Sequence, residues 1–124
     1  MKTFDFNFKI QDCAQMVYEE DYDDLNKTEQ NLVRIIFNNI RREILNVALD
    51  TMKFKSTPDT LVVAVPEAFI PRMLLLVIDL IKETQGEAYI ENIYNIVDLH
   101  QVEAENRNLS ATVHMVMIDA DVIQ

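Results

Sequence analysis

Glycine is nearly missing from this chain: Gly86 is the single one in 124 residues. Loops that cradle phosphate need several glycines, so that backbone N–H groups can approach the anion closely. Neither GxGxxG nor GxxxxGK[ST] can be written here, which excludes dinucleotide and Walker-type nucleotide binding. Cysteine is as scarce. Cys13 stands alone, so no intrachain disulfide forms, and a zinc set would have to lean on His100 and His114, the only histidines. A reducing, cytoplasmic setting is the expectation. Long apolar runs are absent too. The longest, Met73 to Ile78, lies between Arg72 and Asp79, far short of the roughly 20 residues a membrane span needs. The N-terminal MKTFDFNFKI alternates phenylalanine with polar residues and lacks the apolar stretch of a secretion signal.

Positive charge is the last shortage. Eleven basic side chains face 21 acidic ones, a net charge of −10. Nucleic acid is therefore a disfavoured partner, because long-range repulsion opposes it. The charge is unevenly spread. Residues 27–58 carry six bases and three acids, whereas residues 1–26 carry two and seven, and residues 87–124 one and seven. A basic island thus sits inside an acidic protein.

What is present is a globular composition, 49% hydrophobic and 26% charged. The length suits one domain over residues 1–124, since domains run to roughly 100–200 residues. Phe4, Phe6, Phe8 and Ile10 alternate with Asp5, Asn7 and Lys9, the period of a strand with one dry face. Residues 11–19 suggest a short helix. From 27 to 53, Leu32, Ile36, Ile40, Ile44 and Val47 recur at helical steps. Asn26 and Glu29 before that run form a capping-box pattern. Thr60 to Val65 is a β-branched run, dry on both faces, and reads as an interior strand. A largely buried helix follows to Gln85, with Pro71 in its first turn and Gly86 at a left-handed C-cap. Residues 88–97 fit either period, and their β-branched and aromatic content favours a strand. Residues 99–104 and 109–118 read as a hairpin.

The expected fold is α+β, a two-layer sandwich in the order β-α-α-β-α-β-β. Two main helices would cover one face of a mixed four-stranded sheet. Several small folds share that skeleton, and it assigns no function by itself.

Among candidate sites, the acidic stretch Glu19, Glu20, Asp21, Tyr22, Asp23 and Asp24, with Tyr18 before it, is the sharpest local anomaly. Charge with interleaved tyrosines suits docking on a basic partner, or imitation of nucleic-acid phosphate. The ordinary reading is a solvated loop. An EF-hand is excluded by the missing glycine. Arg34, Arg41, Arg42 and Lys53, with Lys55, form a basic face that meets either phosphate or acids elsewhere, the 19–24 stretch among them. Asp119 and Asp121 share a face if a strand continues there, but two oxygen ligands make a poor cation site. His100, His114 and Cys13 lack any neighbour in sequence that completes a catalytic set. No metal or cofactor is called for. The apolar surplus of the helices points to a homo-oligomer, most simply a dimer.

The expectation for function is a non-catalytic protein–protein interaction protein, a regulator or inhibitor or an assembly subunit, whose acidic surface docks on a basic partner. The alternatives are a small enzyme with its site at a subunit interface, or a nucleic-acid-binding module using the basic face of helix 27–53.

Overall fold

The computed structural model describes residues 3–48, 52–90, 93 and 95–97. The hairpin expected over 99–118, His100, His114, Asp119 and Asp121 lie outside the described residues.

The N-terminal alternation becomes strand β1, Thr3–Lys9, with Phe4, Phe6 and Phe8 buried and the intervening side chains turned outward. The chain passes straight into helix α1, Ile10–Tyr18. Asp12 holds the junction: its Oδ2 accepts the Lys9 N–H at 3.0 Å, satisfying a donor that the helix start leaves free. α1 stops at Glu19, a non-glycine residue in the left-handed region at φ 58°. A 3-10 turn, Tyr22–Asp24, leads to helix α2, Lys27–Ala48. Its start carries the expected capping box: Asn26 Oδ1 accepts the Glu29 N–H at 2.9 Å, and Glu29 Oε1 accepts the Asn26 N–H at 3.1 Å. The helix was expected to reach residue 53; among the described residues it runs to Ala48, whose carbonyl still accepts the Met52 N–H at 3.0 Å, a helical step, and Lys53 is no longer helical.

A short strand that the sequence pattern does not announce comes next, β2, Phe54–Ser56, followed by β3, Thr60–Pro66. The turn between them is closed by Thr57 N–H to the Thr60 carbonyl at 2.8 Å and by Thr60 N–H to Thr57 Oγ1 at 3.0 Å. A 3-10 turn, Glu67–Phe69, opens helix α3, Ile70–Gln85. Pro71 sits in the first turn of α3, where its missing N–H costs nothing. Gly86 ends α3 at φ 85°, with its N–H on the Lys82 carbonyl at 2.7 Å.

The protein is α+β, with three helices and a three-stranded sheet among the described residues. Strand order is β1–β3–β2, and both pairs are antiparallel, where a mixed sheet was expected. β3 is the interior strand, as its composition suggests, but only one face is fully buried. Leu61, Val63 and Val65 point into the core, while Val62 and Ala64 are half-covered. The inner face of the sheet shares one core with all three helices, which contribute Ala14 and Met16 from α1, Phe37, Ile40 and Ile44 from α2, and Met73, Leu74 and Ile78 from α3. Phe8 stacks on Phe37 of α2 with ring centroids 5.3 Å apart. Burying each such side chain contributes about 1.5–3 kcal/mol.

The strand favoured for 88–97 does not form at the described positions there. Residues 87–90 are irregular, and Ile93 and Ile96 donate to the carbonyls of Ile90 and Ile93 at 3.1 Å each, a three-residue step that belongs to turns. Tertiary anchors set this path: Ala88, Ile93, Ile96 and Val97 are buried. The Met16 carbonyl takes the Tyr89 N–H, and the Ile96 carbonyl takes the Asn7 N–H, each at 2.8 Å.

Candidate functional site

The acidic stretch forms the connection between α1 and α2, and it is braced from both helices. Gln11 and Gln15 lie one turn apart on α1, and both side-chain amides donate to Asp21 Oδ1, at 2.6 and 2.7 Å. Gln11 Oε1 accepts the Tyr22 N–H at 2.9 Å. From α2, Gln30 Nε2 donates to the Tyr22 carbonyl at 2.9 Å. Leu25 is buried at the end of the turn and fixes the entry to α2. The Arg34 guanidinium lies over the Tyr22 ring, 5.6 Å from its centroid, and Nη2 reaches the Tyr22 hydroxyl at 3.4 Å. Tyr18 and Tyr22 pack against the core, so they serve as supports rather than as protruding aromatic anchors. Burial, with the Glu29 charge added, pushes the Tyr18 phenol up. Glu19, Glu20, Asp23 and Asp24 point outward and are exposed. No cation among the described residues pairs with Glu20, Asp23 or Asp24.

The basic residues do not share one surface. Arg34 donates to Asp59 Oδ1 at 2.9 Å and to the Pro58 carbonyl at 3.1 Å. Arg41 donates to Ser56 Oγ at 3.2 Å, to the Thr57 carbonyl, and to the Pro58 carbonyl at 3.4 Å. It also reaches Asn38 Oδ1 and lies 4.9 Å from the Phe37 ring centroid. Both arginines thus clamp the β2–β3 turn onto α2. The basic face was expected to meet acids elsewhere, the 19–24 stretch among them: Arg34 meets Asp59 and, in that stretch, Tyr22, while Arg41 meets turn carbonyls and Arg42 meets Glu43. Arg42 is exposed, 3.3 Å from Asn39 Oδ1 and 3.9 Å from Glu43 Oε1. Lys53 lies elsewhere, on the outer face of the sheet.

Sequence reading passed over that outer face. An open groove of about 740 Å³ runs across it, with Val62 and Ala64 as its floor. Lys53, Phe54 and Lys55 line one side and Asp5 the other, with Met52 at the end. The sequence signal was the period-two spacing of Lys53 and Lys55 opposite Val62 and Ala64. Without β2 in view it had no meaning.

The candidates for chemistry fare differently. Cys13 is fully buried between α1 and α2, its Sγ 3.7 Å from the Val33 carbonyl. Burial, with the Asp12 charge added, pushes its thiol far above the ordinary range, the reverse of what a nucleophilic thiolate needs. Asp12, also buried, has its carboxyl pushed up by burial, with the Lys9 N–H and ammonium opposing. No group of three or more metal-ligating side chains occurs among the described residues. No described helix is long and apolar enough to cross a membrane.

Comparison with protein-family models, with curated proteins and with solved structures finds no match to this chain.

Proposed function

We propose that this chain is a non-catalytic binding protein whose acidic turn docks on a basic surface of a partner protein. The observation that carries this reading is the bracing of the turn. Asp21 and Tyr22 are tied to Gln11, Gln15, Gln30 and Arg34, which leaves Glu20, Asp23 and Asp24 presented on a fixed backbone. Charges held in place lose little freedom on binding, and that favours both affinity and register. A solvated loop needs no such support.

Two further parts of the reading are proposals of the same kind. The exposed Phe69 and Leu75, with the half-buried Leu76 and Leu80 on α3, support self-association as a dimer, and the lone free thiol of Cys13 fits a reducing, cytoplasmic compartment. The outer edge of β1, where Asn7 N–H already meets the Ile96 carbonyl, is the natural place for a fourth strand.

A fluorescent lysine–alanine repeat peptide tests the docking surface. Anisotropy titrations should show binding that weakens steeply with salt, and at least tenfold loss in a Glu20→Gln/Asp23→Asn/Asp24→Asn variant. Equal binding by that variant would overturn the reading.

A further inference from the structure

The groove on the outer face of the sheet is independent of the acidic turn and has its own polarity. Two rows of side chains cross it. Asp5 is in register with Ala64, and the Ala64 N–H bonds to the Lys53 carbonyl, so Asp5, Ala64 and Lys53 form one row. Asn7, Val62 and Lys55 form the next. The β2 side therefore ends in two ammonium groups with no acidic partner among the described residues. The β1 side ends in the Asp5 carboxylate. Neighbouring Asn7 is neutral and leaves that sign unchanged; its buried Oδ1 has no donor among the described residues. Between the two ends lies a neutral apolar floor, Val62 and Ala64, with Phe54 standing 48% exposed at the rim.

Two explanations need nothing else. Lysines on a short edge strand discourage pairing with other chains, and an open sheet face is often only solvated. Neither accounts for a groove with opposite charges at its two sides and apolar contact between them.

From this complementarity we infer that the groove binds a small zwitterion with an apolar body, of the size of a three-residue peptide with free ends. Its carboxylate would meet Lys53 and Lys55, its ammonium would meet Asp5, and its apolar side chains would lie on Val62 and Ala64. The span agrees. β1 and β2 are separated by two inter-strand spacings, about 9.5 Å, and three extended residues reach about 10 Å. The volume, about 740 Å³, lies within the roughly 300–1,000 Å³ of small-molecule sites.

The test uses the full chain and the tripeptide Leu-Ala-Leu, with its N-acetylated and C-amidated forms and dodecanoate as comparisons. Methyl chemical shifts of Val62 and Ala64 report occupancy. Binding of the free tripeptide should fall at least tenfold on acetylation or on amidation. Asp5→Asn should cause a comparable loss for the free tripeptide and none for the acetylated one. Lys53→Gln/Lys55→Gln should weaken every ligand that keeps its carboxylate. All these side chains are exposed, so the variants should unfold at the wild-type urea midpoint. No binding at millimolar tripeptide, equal binding after acetylation, or preferential binding of dodecanoate with no effect of Asp5→Asn would each overturn the assignment. None of these outcomes bears on the acidic turn.

Discussion

The acidic turn and the arginine face of α2 carry opposite charge and lie side by side, yet they are put to opposite use. The arginines look inward. Arg34 and Arg41 donate to the carbonyls of Thr57 and Pro58 and to the Asp59 carboxylate, holding a hairpin to a helix. Of the turn's acids only Asp21 is tied to another element, by Gln11 and Gln15, and its neighbours Glu20, Asp23 and Asp24 keep their charge for solvent or a partner. A planar guanidinium has five donors and can satisfy several carbonyls at once. A carboxylate accepts only, and in this turn the N–H groups of Tyr22, Asp24 and Leu25 are already bonded elsewhere. Charge density along a sequence is thus a poor guide to function until donor and acceptor geometry is known.

Four measurements break or sharpen that contrast. The largest effect is expected at Arg41. Arg41→Ala removes several hydrogen bonds and the contact with the Phe37 ring, and should cost about 1–3 kcal/mol in urea unfolding. A loss below a few tenths would show that the hairpin holds without its clamp. Next is Asp21→Ala, which leaves Gln11 and Gln15 without their shared acceptor. About 0.5–1.5 kcal/mol is expected, together with weaker binding of the basic peptide, because the turn loses its brace. Arg34→Met should cost about 0.5–1 kcal/mol, since its ion pair with Asp59 is largely exposed. Neutralising Glu20, Asp23 and Asp24 should change stability by no more than about 0.5 kcal/mol, as for other exposed positions, while binding is lost. Should stability fall with binding, those charges are part of the fold after all.

Asp12 is a third kind of carboxylate, buried within the molecule, and it supplies a pH test. Its folded-state value is raised above the ordinary 3.8 by burial. The protonated form is therefore favoured by folding, and its contribution is fully present below pH 3.8 and lost as pH rises through the folded-state value. Asp12→Asn keeps an acceptor for the Lys9 N–H and does not ionise. Relative to wild type, the variant should gain stability as pH rises from below 3.8 toward neutrality. A constant difference across that range would show that Asp12 is solvated.

Much of the fold is legible in the chain because it rests on local periodicity. The Phe4–Phe6–Phe8 alternation, the Asn26–Glu29 box and Gly86 each specify their own conformation within a few residues. β2 is not of that kind. Phe-Lys-Ser is too short for the alternation of Lys53 and Lys55 to be read as a strand, and becomes one because β3 pairs with it and Arg41 holds the adjoining turn. The path after Gly86 is likewise set by distant partners, Met16 and Asn7, so its mixed period had no local solution. The site divides in the same way. The run of acids at 19–24 is visible at once. Which of them face outward depends on two glutamines one helical turn apart, and the groove depends on three strands meeting.

The solitary thiol of Cys13 has a practical consequence. It is 0% exposed, packed where α1 meets α2, and held mostly protonated by its surroundings. An alkylating reagent can reach it only after those helices separate. Modification kinetics at increasing urea would therefore time the opening of that seam, with no engineered label, and ligand at either surface should slow the clock if it is bound to the closed form.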